Sequence, residues 1–156
     1  MDNIDSKVLK RLMENGRTTW AELGSLLDLS PPAAAERVKK LEERGVIKGY
    51  TALVDARALG YPLTAFIGVV LDRPQDRGPF LQMVEQLPAV AECHHVAGAE
   101  DYLLKVRVPG LPELEKLVSD DLKGLPGVVK TRTVIALSTA FETHRLPLPP
   151  GREGPR

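Results

Sequence analysis

The sequence is poor in the features that mark secreted or membrane proteins. Its 156 residues include a single cysteine, Cys93, so no disulfide can form within the chain. No apolar run approaches the roughly 20 residues of a membrane span, and the charged, amphipathic start of the chain does not resemble a secretory signal. Because 21 Lys and Arg balance 21 Asp and Glu, a uniformly basic nucleic-acid-binding surface is excluded. We therefore expect a cytoplasmic protein with a reduced thiol and no membrane partner.

The apolar content is sufficient for folded domains, although aromatic residues are scarce. Hydrophobic residues make up 43% of the chain, charged residues 27% and aromatic residues only 4%. This is the composition of a globular protein, and the length allows one medium domain or two small ones.

Helical periodicity and capping residues predict three short helices in the N-terminal third. Thr19 and Glu22 fit the capping box that begins the second helix. Ser30 is placed to cap a third helix of about 14 residues, with Pro31 at its first position and Gly45 after its end. A β-rich stretch follows the third helix at residues 46–54. This order predicts a helix-turn-helix with a following β element, a winged type.

The rest of the chain alternates strand-like and helical segments in the order βαββαβ. The strand-like segments are residues 64–71, 90–96, 102–108 and 128–137. Right-handed crossovers then give a four-stranded antiparallel sheet with both helices on one face, the ferredoxin-like arrangement of an α+β protein. In 64–71, apolar residues occur at odd and at even positions, which face opposite sides of the sheet. We therefore expect both faces to be buried, and the face that no helix covers to be buried in a dimer.

These patterns divide the chain into four parts. The expected boundaries are a winged helix-turn-helix domain at 1–50, a β linker at 51–63, a ferredoxin-like domain at 64–148, and a flexible tail at 149–156.

Cations recur along the outer side of the third helix and suggest a DNA-reading surface. Residues 1–50 nevertheless carry nine Lys and Arg against eight Asp and Glu, and the pair Glu36 and Lys40 also suits an ordinary solvated helix face. The small residues near the start of the helix would let its backbone approach base edges, with Arg37 placed to reach a guanine. The DNA-binding candidates are Ser30, Pro32, Ala33, Glu36, Arg37, Lys39, Lys40 and Arg44, with Arg17, Thr18 and Lys48 as phosphate contacts.

The residues give little support for metal binding or for enzymatic catalysis. Cys93 and His95 can share one side of a strand, but the alternation of side chains sends His94 to the other side, so we predict no metal site. Neither a nucleophile elbow nor a Gly-rich phosphate loop is present, so we predict no catalytic residues and no enzyme.

The loop that begins at Gly98 is the more informative site. Glycine at a strand end lets backbone amides face a carboxylate, while Asp101 can receive an ammonium group, a combination that suits an amino acid. The alternative is a plain β-turn in which Asp101 caps its own backbone.

Six ordered motifs resemble the Lrp/AsnC family of feast/famine regulators over nearly the whole chain. They are Asn15-Gly16-Arg17, Leu29-Ser30-Pro31, the run from Arg37 to Glu42, the run from Gly45 to Tyr50, Gly98-x-x-Asp101-Tyr102, and Leu125-Pro126-Gly127-Val128. Glu92-Cys93-His94, the run from Asp101 to Lys105 and Thr131-Arg132-Thr133 look especially like the leucine-responsive branch. Gly24 departs from the family pattern, since a helix-favouring residue is usual there.

The resemblance implies a transcription regulator that binds double-stranded DNA, forms dimers and commonly assembles into an octamer of four dimers. It implies no cofactor but an amino-acid effector, such as leucine or another apolar amino acid. The implied effector residues are Gly98, Ala99, Glu100, Asp101 and Tyr102 of the loop, with Thr133, Ile135 and Ala136 from the last strand. Two alternatives remain open: an enzyme that resembles the siroheme decarboxylases, and a sensing module that has lost DNA binding.

Overall fold

The chain forms two compact units in the computed structural model, which describes residues 1–148. The helical unit comprises Met1–Leu53 together with residues 141–148, and the sheet unit comprises Val54–Ala140. The expected flexible tail, residues 149–156, lies outside the described residues. None of the helices among residues 1–148 combines the length and the hydropathy of a membrane-spanning helix.

The helical unit contains the three predicted helices, α1 (Asn3–Glu14), α2 (Trp20–Leu27) and α3 (Pro31–Glu43). Each begins at a capping side chain, and those of α2 and α3 are the predicted Thr19 and Ser30. Their apolar faces meet in a core in which the following side chains are at most 1% exposed: Val8, Leu23, Ala34, Val38 and Leu41.

A tight turn joins α2 to α3. Asp28 ends α2 in the left-handed conformation, with φ 56°. Gly24, one turn earlier, faces the turn so closely that a Cβ atom would lie 2.7 Å from the carbonyl oxygen of Leu29. The departure from the family pattern at Gly24 therefore has a steric reason, because no larger residue fits without moving the turn.

The β element predicted at residues 46–54 is wrong for the single chain. The structure shows irregular chain there, with Leu53 75% and Val54 61% exposed. β-branched residues favour a strand only where a neighbouring strand supplies hydrogen bonds, and none of the described strands lies beside this segment.

The C-terminal segment returns to the helical unit. The backbone N–H of Leu146 donates to the sulfur of Met13 at 3.5 Å, and Leu148 packs against the helical core. Residues 141–148 therefore group with the helices, whereas the sequence assigned them to the sheet domain. Most of the expected linker, from Val54 onward, groups with the sheet.

The sheet unit has the predicted βαββαβ order. Its elements are β1 (Leu63–Leu71), α4 (Arg77–Glu85), β2 (Val90–His95), β3 (Tyr102–Val108), α5 (Leu111–Lys116), which continues as a π-helical turn (Leu117–Leu122), and β4 (Val128–Ile135). The strand order is β2-β3-β1-β4 with every neighbouring pair antiparallel. The predicted α+β, ferredoxin-like fold is confirmed.

The two faces of the sheet differ in burial. On the face covered by the helices, Ala65, Ile67 and Leu104 are fully buried against Phe80 and other side chains of the core. On the open face of the single chain, Phe66 and its neighbour across the strands, Val134, are 37% and 47% exposed. The open face thus carries apolar side chains that this chain alone does not cover.

Candidate nucleic-acid and effector sites

The outward face of α3 lies opposite the stripe of side chains that the helix buries in the core. Ala34, Val38 and Leu41 face the core, so at 3.6 residues per turn the opposite side carries Pro32, Glu36, Lys39 and Glu43, with Ala33 and Lys40 beside them. Lys39 lies 3.7 Å from Glu43, and Lys40 lies 3.7 Å from Glu36. All four side chains are more than half exposed, and such pairs are worth about 0.2–1 kcal/mol. A phosphate can therefore displace the glutamates at little cost.

Arg37 is not directed along this outward face. Its Nη1 atom donates to Oδ2 of Asp2 at 2.5 Å and to Oδ1 of Asp5 at 3.1 Å. Arg44 also points toward α1, with its Nη1 3.8 Å from Oδ2 of Asp5. In the DNA-free chain Arg37 is therefore engaged at the edge of α3 by two carboxylates of α1, so the expected guanine contact would require these ion pairs to break. Asp2 and Asp5 were not among the predicted site residues, although their Asp-x-x-Asp spacing is that of a capping box.

The expected phosphate contacts fall into two groups. Arg17 and Lys48 carry exposed side chains beside the helices. Thr18 is only 8% exposed, and its hydroxyl donates to the carbonyl of Asn15 at 2.8 Å. This hydroxyl therefore holds the loop before α2 and has its donor already in use. The Ser30 hydroxyl accepts from the N–H of Ala33 at 3.4 Å and serves as the α3 cap.

A further contact ties the segment after α3 to the helix. The hydroxyl of Tyr50 donates to Oε1 of Glu42 at 2.9 Å. Partial burial, the hydrogen bond and the charge of Glu42 raise the pKa of Tyr50 to about 12. The sequence indicates Tyr50 only as the last residue of the motif that begins at Gly45, with no structural role.

The loop before β3 is held by its two acidic residues. Oδ2 of Asp101 accepts the N–H of Leu71 at 2.8 Å, which ties the loop to the neighbouring strand instead of to its own turn. Oε1 of Glu100 accepts Nε of Arg132 at 2.6 Å, and hydrogen bonding to this arginine lowers the pKa of Glu100. The Glu100 side chain lies over Gly68, where a Cβ would come within 2.6 Å of its Cγ. One oxygen of each carboxylate is therefore engaged within the chain.

Tyr102 lies beneath this loop. It is 2% exposed, and its ring centroid is 4.9 Å from that of Phe80 and 5.2 Å from that of His95. The guanidinium carbon of Arg77 is 6.0 Å from the Tyr102 ring. The Tyr102 hydroxyl is buried and has no hydrogen-bond partner among residues 1–148.

Within one chain, the expected effector residues do not all come together. The backbone N–H of Asp101 donates to the carbonyl of Val69, and Gly98 and Ala99 are exposed in the same loop. Ile135 pairs with Ala65, four residues and about 13 Å along β1 from Val69. Ala136 lies one residue farther, donating to the carbonyl of Thr64, and Thr133 lies between, opposite Ile67.

A cavity of about 570 Å³ lies elsewhere in the sheet unit, and no pattern in the sequence indicates it. Leu59 and Tyr61 line one side, and Val108 and Leu117 line another. None of its lining residues belongs to the expected effector set.

The residues considered for a metal site are divided by the sheet. Cys93 pairs with Leu104 and His95 with Tyr102, on the side of the buried core, whereas Nε2 of His94 lies 3.0 Å from Oε2 of Glu92 on the other side. Among residues 1–148, no group of three or more His, Cys, Asp or Glu side chains is arranged to hold a metal ion.

Comparison with known proteins decides what kind of molecule carries these sites. Residues 1–48 match the family model described as a winged helix-turn-helix DNA-binding domain, and residues 64–146 match the Lrp/AsnC ligand binding domain. The leucine-responsive regulatory protein of Escherichia coli K12 is 39% identical over 148 residues, which cover 94% of this chain and 90% of that protein. The chain belongs to the Lrp/AsnC family.

Solved structures of Lrp/AsnC regulators share the whole fold. A Neisseria meningitidis transcriptional regulator in complex with L-methionine matches with a TM-score of 0.90 and 32% identity, covering 94% of this chain and 96% of that one. AsnC of Escherichia coli matches with a TM-score of 0.87 and 29% identity, over 93% and 97% of the two chains. A feast or famine regulatory protein of Mycobacterium tuberculosis, complexed with L-methionine, matches with a TM-score of 0.86 and 34% identity, covering 93% of this chain and 97% of that one.

These matches confirm the family and the kind of function predicted from the sequence. This Lrp/AsnC member is a DNA-binding transcription regulator that responds to amino acids, and not an enzyme. The alternative of a siroheme-decarboxylase-like enzyme is therefore set aside.

Proposed function

We propose that this regulator binds double-stranded DNA in the cytoplasm through the outward face of α3 and senses an apolar amino acid in the sheet unit. The observation that carries the proposal is the solvent-exposed face of α3, where Lys39 and Lys40 have only weak, exposed partners. Two related structures, solved as complexes with L-methionine, support an amino-acid effector of this kind.

The proposed DNA surface follows from the geometry of α3. Pro32, Ala33 and Glu36 lie nearest the bases, Lys39 and Lys40 contact phosphates, and Arg17 and Lys48 reach phosphates from the flanking loops. A dimer would place two copies of α3 in successive major grooves, about 10 base pairs apart or a multiple of that.

The proposed effector site uses the loop before β3. The exposed backbone at Gly98 and Ala99 faces the carboxylate of the amino acid, and Oδ1 of Asp101 accepts its ammonium group, since the bond to Leu71 uses only Oδ2. Glu100 and Tyr102 shape the floor. Thr133, Ile135 and Ala136 extend along β4 away from the loop, so we propose that they complete the site of a second copy.

We propose that dimers form through the open sheet face and that four dimers make the octamer. The exposed Phe66 and Val134 on that face support the dimer, because isolated chains rarely leave adjacent large apolar side chains uncovered. An effector bound between copies would favour one arrangement of DNA-binding units, a coupling of about 1–3 kcal/mol.

The test is selection of bound duplexes from a random DNA pool at about 150 mM salt, with and without amino acids. We expect a dyad motif with half-sites about one helical turn apart, whose affinity shifts with leucine or methionine. If no motif is recovered in either condition, the chain is instead a sensing module without DNA binding.

Matched variants locate the surface. The double variant Lys39→Gln/Lys40→Gln should weaken operator binding and reduce the slope of log Kd against log salt by about 0.9 for each phosphate that the protein no longer neutralises. Lys10→Gln removes one positive charge from an exposed position on α1 and should leave that slope unchanged. If Lys10→Gln changed the slope as much per charge as the double variant does, α3 would not be the DNA-binding surface.

A further inference from the structure

The two carboxylates at the start of α1 each perform two tasks. Oδ1 of Asp2 accepts the N–H of Asp5 at 2.7 Å, while its Oδ2 accepts Arg37. Oδ2 of Asp5 accepts the N–H of Asp2 at 3.2 Å, while its Oδ1 accepts Arg37. One oxygen of each residue thus caps α1, and the other holds a side chain of the recognition helix α3.

This contact differs in strength from the other ion pairs of α3. Asp5 is 6% exposed, and the Arg37 side chain is only about one-third exposed. Hydrogen bonding to the backbone of Asp5 and to Arg37 lowers the pKa of Asp2, and hydrogen bonding to Asp2 raises the pKa of Arg37. Freeing Arg37 would leave Asp5 buried without that partner, whereas Lys39 and Lys40 leave exposed glutamates behind.

The position of Arg37 gives the contact a consequence for DNA. Arg37 lies at the edge of α3 between the buried stripe and the outward face, one turn along the helix from Ala33. A guanidinium released from α1 would be available to a phosphate beside the groove, and a phosphate contact carries no sequence information.

We propose that Asp2 and Asp5 are positioning residues that determine DNA specificity by holding Arg37 away from the phosphates and fixing α3 against α1. The proposal rests on the proposed DNA-binding function. It predicts that losing the two carboxylate charges strengthens binding to arbitrary DNA more than binding to the operator.

The experiment replaces each carboxylate by its isosteric amide in the full chain. Asp2→Asn keeps an N-cap oxygen, since Asn caps helices about as well as Asp, and Asp5→Asn keeps an amide oxygen that can accept the N–H of Asp2. Glu14→Gln is the control, because it removes the same charge from an exposed position on the same helix. Kd is measured on the selected operator and on a random duplex from about 50 to 200 mM salt.

If the proposal holds, the double variant binds random DNA with a slope steeper by about 1.8 per dimer, or about 0.9 for each released Arg37. Over that range of salt the extra slope corresponds to about a tenfold larger change in Kd, and the ratio of operator to random affinity falls. Glu14→Gln leaves the slope and the ratio as in the wild type. Adding Arg37→Gln to the double variant restores the wild-type slope.

Three results would overturn the proposal. One is an unchanged slope and ratio in the double variant. Another is an equal loss of operator and random binding together with a lower melting temperature, which indicates a structural role alone. The third is a reduced slope in Arg37→Gln alone, which would make Arg37 a phosphate contact in the wild type. Failure of the wild type to select any operator refutes the proposed function instead.

Discussion

Replacement of Gly24 by alanine tests the packing that sets the start of α3. The added Cβ would lie 2.7 Å from the carbonyl oxygen of Leu29, 3.3 Å from the nitrogen of Pro31 and 3.4 Å from the carbonyl carbon of Ser30. All three atoms belong to the backbone, so no side-chain rotation relieves the clash. The N–H of Leu29 also donates to the carbonyl of Gly24 at 2.9 Å, which limits how far the turn can move.

Two opposing effects determine the expected magnitude. Alanine is favoured over glycine within a helix by about 0.8–1.0 kcal/mol. Overpacking in a well-packed core costs about 1–3 kcal/mol, and a contact with fixed backbone at 2.7 Å lies at the upper end of that range. We therefore expect Gly24→Ala to lower the free energy of unfolding of the helical unit by about 2 kcal/mol.

Urea unfolding followed by tryptophan fluorescence measures this change. Trp20 is the only tryptophan of the chain and lies in α2, so its signal reports on the helical unit. Gly78→Ala is the matched control, because Gly78 lies in α4 with no atom within 4 Å of its added Cβ. Because Gly78 belongs to the sheet unit, that variant should leave the Trp20 transition unchanged and gain about 0.4–1 kcal/mol only in the unfolding of the sheet unit, followed by far-ultraviolet circular dichroism. A Gly24→Ala protein as stable as the wild type would refute the steric argument.

Three further predictions concern side chains of the two units. The phenol of Tyr50 should titrate near pH 12, measured as the difference in ultraviolet absorbance between wild type and Tyr50→Phe. Since its pKa is raised on folding, the stability it contributes is complete below its ordinary value of 10.0 and is lost as pH rises toward 12, so equal alkaline stability of the two proteins would contradict the bond to Glu42. Tyr102→Phe removes a buried hydroxyl that has no partner among residues 1–148, so thermal melting should show unchanged or higher stability, and a loss above about 1 kcal/mol would mean that the hydroxyl is paired. Asp101→Ala should abolish the shift of operator affinity by amino acids while basal DNA binding persists, and an unchanged response would remove Asp101 from the effector site.

Local features of the sequence predicted most of the fold. The capping residues Thr19 and Ser30 lie where α2 and α3 begin, and the apolar segments from Tyr102 to Val108 and from Val128 onward form strands. Capping residues and apolar periodicity are properties of short stretches of sequence, so they predict helices and strands without reference to distant contacts.

The errors arose where a distant contact decides the outcome. Residues 46–54 have strand-forming side chains but lie beside no described strand. Arg37 has the spacing of a DNA-reading cation, yet its partners Asp2 and Asp5 lie 35 and 32 residues away in sequence. For the effector loop, sequence marked Asp101 but could not show that Leu71 already occupies one of its oxygens.

The return of residues 141–148 to the helical unit makes the DNA-binding part of the chain discontinuous in sequence. Its helices are synthesised first, but the contact between Met13 and Leu146 joins residues 133 positions apart. Leu148, which packs on the same core, also arrives only after the whole sheet unit has been made. During translation, one edge of the core of the helical unit therefore stays uncovered until residues 141–148 have been made. The sheet unit must emerge from the ribosome before the helical unit can be completed.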